Sequence, residues 1–439
     1  MNVPVQYRIE GRSASGIADS IEVGVRSAAL TPGAQLPTVR DLARRLHVSP
    51  STVAAAYQRL RLRGVLAGEG RRGTRVTRRP PLPIPSPAAA HPRLRNFADG
   101  NPDPKLLPRL PALPRDRRPR LYGEGVQLPE LMDLARRQFT RDGIDGDLAV
   151  VSGGLDGIER ALLAHLGPGD RVAVEDPGFA GVFDLLSALG LAAEPVRVDD
   201  SGPLPADLDR VLGGSVAALV VTPRAQNPTG AALDERRGRE LRAVLDRHPK
   251  TLVIEDDHAG PVAGTEAVTL CPRPGRWAVI RSVSKSLGPD LRLAVLSGDA
   301  ETVARVEGRQ RLGMGWVSHV LQHAVAALWS DRGVMRSVAA VARTYAERRQ
   351  ALIGTLARRG LPAHGRSGFN VWIPVVEEAA ALTALAERGW ALRAGEAYRI
   401  RSAPGLRATV TTLLPGEAER LANDLATAVH PSRPASAIR

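Results

Sequence analysis

A chain of 439 residues can hold two or three domains and bury a large core. Its single cysteine, Cys271, excludes a disulfide framework and a cysteine-built zinc cluster, and no metal site is expected. No apolar run approaches a membrane span and the N-terminus lacks a signal-peptide core, so a soluble cytoplasmic protein without a membrane partner is expected. The net charge of +14 is uneven: residues 1–79 hold 14 Arg against 5 Asp and Glu, a net of +9, while the remainder carries +5. A compact basic module ahead of a nearly balanced body points to a polyanion partner for the module.

Ile17, Ile21, Val23 and Val25 recur among polar residues and predict a helix over 13–28. Thr38 is a candidate N-cap for a short helix whose apolar face is Val39, Leu42, Ala43 and Leu46. His47-Val48 breaks it. Ser49-Pro50-Ser51-Thr52 then opens a second helix carrying Val53, Ala56, Tyr57 and Leu60, ended by Gly64. Two short helices around a tight turn are the helix-turn-helix layout, whose second helix enters the DNA major groove. Residues 65–67 and 74–76 read as strands flanking Gly68-Glu69-Gly70-Arg71-Arg72-Gly73, a basic wing.

Pro32-Gly33, Leu36-Pro37-Thr38-x-Arg40-x-Leu42-Ala43, Val48-Ser49-x-x-Thr52-Val53-x-x-Ala56-Tyr57-x-x-Leu60, Gly64 and Gly73-Thr74 together resemble the winged helix-turn-helix of GntR-type transcription regulators. The resemblance implies a double-stranded DNA operator as partner. It implies contacts from Arg40, Ser49, Ser51, Thr52 and the wing; Tyr57, Arg71, Arg72, Gly73 and Thr74 complete the candidate interface. A cytoplasmic protein on the nucleoid when bound to DNA follows.

Residues 80–119 contain twelve prolines and read as a linker, stiff where proline is dense. Its later part, Phe97-Ala98-Asp99-Gly100-Asn101-Pro102, is expected to touch the next domain already. From 121 onward short apolar strands alternate with longer helices, which predicts an α/β domain with a mostly parallel sheet. Helices are expected over Leu128–Phe139 and Ile158–Leu166 and near 181–189 and 234–247. Strands are expected over 148–151, 171–175, 217–221 and 252–255. The strand at 148–151 runs through Ser152-Gly153-Gly154 into a helix start, where free N–H groups can hold an anion.

The chain uses arginine almost throughout. Of its 60 basic residues only Lys105, Lys250 and Lys285 are lysines. Arginine stays protonated, whereas a lysine amine can be deprotonated and form a Schiff base with an aldehyde. Lys285 lies in Ser282-Val283-Ser284-Lys285-Ser286-Leu287-Gly288-Pro289-Asp290-Leu291-Arg292, where small hydroxyls and an arginine could hold a phosphate. Pyridoxal 5′-phosphate (PLP) would need that set. Asp256 follows a buried strand and could pair with a pyridine nitrogen; its neighbour Asp257 cannot be separated from it on sequence. Asn227 could donate to the ring oxygen, Phe179 could stack on the ring, and Arg407 could grip a substrate carboxylate.

In this order the residues resemble the aminotransferase class I/II domain, fold type I of the PLP enzymes, from about 95 to 430. The resemblance implies Lys285 as the Schiff-base lysine, Asp256 at the pyridine nitrogen, Asn227 at the ring oxygen and Phe179 in the stacking position. It places Gly153, Gly154, Ser282 and Arg292 at the phosphate and Arg407 at a substrate α-carboxylate. Tyr122 matches a tyrosine that reaches a partner subunit's phosphate, which implies a homodimer. His258 stands where the family usually has a tyrosine that donates to the ring oxygen. Leu155-Asp156 and Asp290 depart from the usual glutamine and glycine. A winged helix ahead of such a domain looks like the MocR branch of GntR regulators, of which GabR-type proteins are members.

The expected organisation is therefore a winged helix-turn-helix over 1–79, mostly helical. A proline-rich linker and arm at 80–120 lead to a large PLP-binding domain over 121–310. A linking helix with a small α/β subdomain at 311–430 and a disordered tail at 431–439 complete it. The expected function is a transcription regulator that binds PLP and senses an amine, an amino acid or PLP itself at Lys285. The alternative is an active aminotransferase with an accessory DNA-binding module.

Overall fold

A computed structural model describes residues 7–26, 29–31, 33–62, 65–68, 73–76, 94–111 and 120–429. Pro32, Gly64, Arg71, Arg72, most of the linker and the tail lie outside the described residues. One compact unit holds the N-terminal residues, and a second holds most of the chain from Pro87 onward.

In the N-terminal unit, α1 runs over Ala14–Arg26, α2 over Val39–Leu46 and α3 over Pro50–Leu62. Thr38 caps α2: its Oγ1 accepts from the Asp41 N–H at 3.2 Å and donates to Asp41 Oδ2 at 2.7 Å. His47 ends that helix in the left-handed region at φ 54, which turns the chain tightly into α3. Ser49 caps α3 through the Thr52 N–H. The strands β1 (Leu66–Gly68) and β2 (Thr74–Val76) pair antiparallel, with Leu66 opposite Val76. Ile17, Ile21, Leu42, Ala43, Val53, Ala56 and Leu60 form the core with both strands' ends. Val23, expected on the apolar face of α1, is instead 48% exposed: with 3.6 residues per turn it falls outside the stripe that Ile17 and Ile21 set.

From residue 94 onward the chain opens with β3 (Arg95–Asn96) and α4 (Pro129–Arg141). An alternation follows: β4 (Asp147–Val151), α5 (Gly154–His165), β5 (Arg171–Asp176), α6 (Ala180–Ala188), β6 (Ala192–Asp199), β7 (Gly202–Pro203), α7 (Pro205–Leu212), β8 (Ala218–Val221), α8 (Glu235–Asp246) and β9 (Leu252–Asp257). Then come β10 (Trp277–Ser282), β11 (Ala294–Gly298), α9 (Ala300–Arg311), α10 (His319–Ser330) and α11 (Arg332–Ala357). The last part holds β12 (Asn370–Pro374), α12 (Glu378–Glu387), β13 (Trp390–Ala391), β14 (Arg393–Ala394), β15 (Gly405–Thr409) and α13 (Glu417–Val429).

The large sheet has the order β4-β11-β10-β9-β8-β5-β6-β7. Strands β10, β9, β8 and β5 pair in parallel, and β11 is antiparallel to both its neighbours. Apart from Arg171 at the start of β5, the parallel strands are buried throughout, as expected for a sheet covered on both faces. Their carboxyl ends therefore lie on one edge, where the crevices of an open α/β sheet take ligands. A smaller sheet, β12-β15-β14, packs with α12 and α13 around Leu352, Val371, Leu406 and Leu421.

Two local expectations change. Helix α5 begins at Gly154, four residues before Ile158, because Gly153 at φ 105 turns the chain directly from β4 into the helix. Strand β9 extends through Asp256 and Asp257, two residues past the expected end at Glu255. Pairing of Ile280 with Asp256 and of Arg281 with Asp257 carries the ladder that far.

Tyr57 is 1% exposed and its hydroxyl donates to the Pro37 carbonyl at 2.8 Å, tying α3 to the turn before α2. Tyr57→Phe should lower the stability of this unit by about 1 kcal/mol in a denaturant titration, the worth of one such hydrogen bond.

Candidate cofactor and ligand site

Pleating decides between the two aspartates. Successive residues of β9 face opposite sides of the sheet. Asp257 points to a buried ion cluster: Arg224 grips both its oxygens at 2.8 Å, and Arg281 Nε reaches Oδ2 at 2.8 Å. Arg281 also holds Asp142 at 2.7 Å. Burial alone would raise the Asp257 carboxyl, but the two guanidinium charges overcome it and hold it far below the usual carboxylate range. Asp256 faces the other way. It is 5% exposed and its Oδ1 has no hydrogen-bond partner among the described residues. Burial, then repulsion from Asp257, pushes its carboxyl up to about 7, against the pull of Lys285.

Lys285 follows the carboxyl end of β10. Its Nζ donates to the Gly100 carbonyl at 2.8 Å and lies 5.9 Å from the centre of the Phe369 ring. Burial and the nearby Arg407 charge bring the amine down to about 8, opposed by Asp99 and Asp256. His258 Nδ1 is 3.9 Å from Asp256 Oδ2. Burial first, then Lys285, pushes His258 down to about 4, so it is a neutral imidazole beside the two groups.

The turn after β4 supplies an anion cradle. A methyl group placed on Gly153 would come within 2.8 Å of the Arg292 guanidinium, and one on Gly154 within 3.3 Å of Asp256 Oδ1. Only glycine lets backbone, arginine and aspartate approach so closely. Arg292, exposed and left-handed at φ 41, donates to the Ser152 carbonyl at 3.2 Å. Ser282 and Ser284 share a hydroxyl contact of 2.8 Å at the end of β10. Asp156 accepts from the Ser152 N–H at 2.9 Å and pairs with Arg160, while Asp290 is exposed in the turn before Arg292.

On the other side Arg407, 4% exposed, reaches from β15 over the Tyr398 ring, 5.2 Å from its centre. It donates to Asn227 Oδ1 at 3.2 Å and to the Ala98 carbonyl at 2.5 Å. Asn370, itself held by Thr409, donates to the same Asn227 oxygen at 3.5 Å. Phe179 lies in the turn before α6, half-buried, with its ring over Gly181 beside Leu155. Tyr122 is 93% exposed and edges onto Trp316 at 5.5 Å. In the N-terminal unit Arg40, Ser49 and Ser51 are exposed, Thr52 and Gly73 partly so. Ser49 shares hydroxyl contacts with Ser51 and Thr52 at 2.8 Å. Tyr57 and Thr74 are buried, so their side chains brace the unit from within rather than present a surface to DNA.

The residues fit PLP. A buried, unpartnered carboxylate oxygen stands ready for a cationic ring nitrogen. A glycine cradle with an arginine suits a phosphate, and an amine lowered by burial suits an aldehyde. Sequence reasoning missed Asn370 and the backbone carbonyls of Ala98 and Gly100. Their only signal was the Phe97–Pro102 stretch, whose carbonyls carry no side-chain mark.

Asp257→Ala strips the carboxylate from between two buried arginines and should lower the unfolding free energy by about 3–5 kcal/mol. Asp256→Ala leaves no ion pair broken in that cluster and should cost less than about 1 kcal/mol in the same titration.

Residues 122–425 match the family model "Aminotransferase class I and II", and residues 13–76 match "Bacterial regulatory proteins, gntR family". The chain is 41% identical to the vitamin B6 salvage pathway transcriptional repressor PtsJ of Salmonella typhimurium, over 95% of this chain and 98% of that protein. It is 28% identical to the pyridoxine biosynthesis transcriptional regulator PdxR of Corynebacterium glutamicum, over 74% and 75% of the two chains. In fold it is similar to the kynurenine aminotransferase of Pyrococcus horikoshii, solved in complex with PMP, at a TM-score of 0.68 and 19% identity, covering 77% of this chain and 91% of that one. The chain thus belongs to the MocR-like branch of the GntR transcription regulators, in which a DNA-binding helix-turn-helix is joined to an aminotransferase class I and II domain.

Proposed function

We propose that this regulator captures PLP on Lys285 and that PLP is its effector, coupling DNA binding to the supply of vitamin B6. The observation that carries the reading is a Lys285 amine held, among the described residues, only by the Gly100 carbonyl and close enough to feel the charge of Asp256, whose buried Oδ1 has no partner among them. The printed roles of PtsJ and PdxR in vitamin B6 salvage and pyridoxine biosynthesis support the choice of effector.

PLP supplies an aldehyde open to attack by an amine and a ring that draws electrons when its nitrogen is protonated. Lys285 provides the nucleophile. Its burial and the nearby Arg407 charge disfavour the ammonium form, so a larger share of the amine is reactive at neutral pH. Asp256, once opposite a cation, ionises and holds it. The amides that open α5, with Arg292, would hold the phosphate. Asn227 is turned toward the site by Arg407 and Asn370. Arg407 is the donor that a carboxylate-bearing amino compound would use. Gripping the effector in one conformation and not the other biases the equilibrium that sets DNA affinity.

Mixing the purified chain with PLP should give a yellow band, and Lys285→Ala should abolish it along with any effect of PLP on DNA affinity. A Lys285→Ala protein that keeps both overturns the reading. The pH dependence follows from the amine. With Lys285 at about 8, only the neutral form attacks. The capture rate should therefore rise about tenfold per pH unit below 8 and level off above it, as followed by stopped-flow absorbance.

A further inference from the structure

Residues 95–101 form a strap across the site. At one end, β3 pairs in parallel with β13, and Arg95 is fixed to Glu417 at 2.8 Å. Phe97 stacks on Trp390 at 5.9 Å, and its carbonyl accepts from the Thr409 N–H at 2.8 Å. At the other end the Asn101 carbonyl accepts from Thr411 at 2.7 Å, and Asp103 pairs with Arg348 at 3.1 Å. Between these anchors the backbone reaches the two cations of the site. The Ala98 carbonyl takes Arg407, and the Gly100 carbonyl takes the Lys285 amine. Gly100 sits at φ +74, and a methyl group there would meet the Arg407 guanidinium at 3.2–3.5 Å. The strap lies close because residue 100 has no side chain.

These contacts compete with ligands. An aldehyde captured by the neutral Lys285 amine forms a carbon–nitrogen double bond and releases one water. The water carries off both amine hydrogens, and with them the donor that Gly100 uses. A carboxylate on Arg407 displaces Ala98 in the same way. The strap is also the chain's own continuation from the linker: residues 77–93 join it in sequence to the GntR module. Among the described residues of the site no other segment has that connection, since Lys285 follows β10 and Arg407 lies within β15.

We propose that the strap is the element through which occupancy of Lys285 reaches the DNA-binding module: its carbonyls hold the two cations, a ligand displaces them, and the released strap changes the constraint on the linker. The proposal rests on the reading of Lys285 as the capturing amine. It also sets a graded response. PLP alone needs to displace only Gly100, whereas an amino acid that engages Arg407 displaces Ala98 as well.

The test uses the full chain and amide hydrogen exchange of a peptide spanning 94–102. PLP should raise exchange there at least ~10-fold, the mark of a local opening. The 4-deoxy analogue, which fills the ring and phosphate positions but has no aldehyde, should leave it unchanged. Gly100→Ala should raise exchange without PLP and shift affinity for a duplex selected by the wild-type chain toward the PLP-bound value. A yellow band with unchanged exchange over 94–102 overturns the strap while leaving PLP capture standing. So does a Gly100→Ala protein whose strap is loosened but whose DNA affinity equals that of the unliganded wild type. No band at any PLP concentration overturns the capture reading and the strap's trigger together.

Discussion

The ion cluster under β9 is the constraint on which the site depends. Two buried guanidiniums, Arg224 and Arg281, close on one carboxylate, Asp257, and Arg281 continues to Asp142 at the end of α4. Arg281 also lies over the Phe139 ring at 4.6 Å. Such a cluster has low tolerance for displacement, because moving any member leaves a charge buried without its partner. It therefore fixes the phase of the strand. With Asp257 committed to one face, the pleat delivers Asp256 to the other, bare, at the edge where the parallel strands end. The cluster supplies the precision, and the site can keep an unsatisfied oxygen because its neighbour is so fully satisfied.

Lys285 obeys a related logic with the sign reversed. An ammonium loses hydration on burial, so the free amine gains ground there. Arg407 adds a second positive charge and pushes the same way, while Asp99 and Asp256 limit the shift. An arginine at 285 would remain charged in this setting and could not attack a carbonyl. The same desolvation that lowers the amine makes the Gly100 carbonyl valuable to it, so in the proposed reading capture of a ligand and release of the strap would be one exchange of partners.

Much of this was visible in the residues. An arginine-rich background with three lysines exposed Lys285, and apolar periodicity exposed α2 and α3 with their caps. Three of the parallel strands, β5, β8 and β9, were readable from their apolar runs, whereas β10, which pairs in parallel with β9, was not expected. Other parts were not readable, for physical reasons. Asp256 and Asp257 are equivalent until the length and phase of β9 are known, and that length depends on pairing with β10. Tyr57 fits either a groove-facing or a core position on α3; its hydroxyl partner, the Pro37 carbonyl, is backbone and leaves no trace in side-chain pattern. The strap joins groups 185 and 309 residues apart through carbonyls that every residue has. Such contacts arise only when the sheets bring the elements together.

The acids along the carboxyl edge show what kind of ligand the edge favours. Glu175, Glu255 and Asp256 are all pushed up by burial, to about 8, 7 and 7. Glu255 is satisfied as an acceptor by the Leu270 N–H and the Thr269 hydroxyl. Glu175 takes Gln226 and the Thr222 N–H on one oxygen and has no partner for the other among the described residues. Neither faces a guanidinium in the way Asp257 does, so each resists ionisation. A further negative charge on this edge would repel Asp257 and leave its own solvation unmet. Asp256 differs because it borders the space in front of Lys285. There an arriving cation can supply the opposite charge that burial has taken away. A neutral ring would leave Asp256 protonated and weakly held, whereas a ring nitrogen that takes up a proton converts the penalty of burial into attraction. The unpaired oxygen thus selects for a ligand that can become cationic at that point, which is the property that makes a pyridine ring useful.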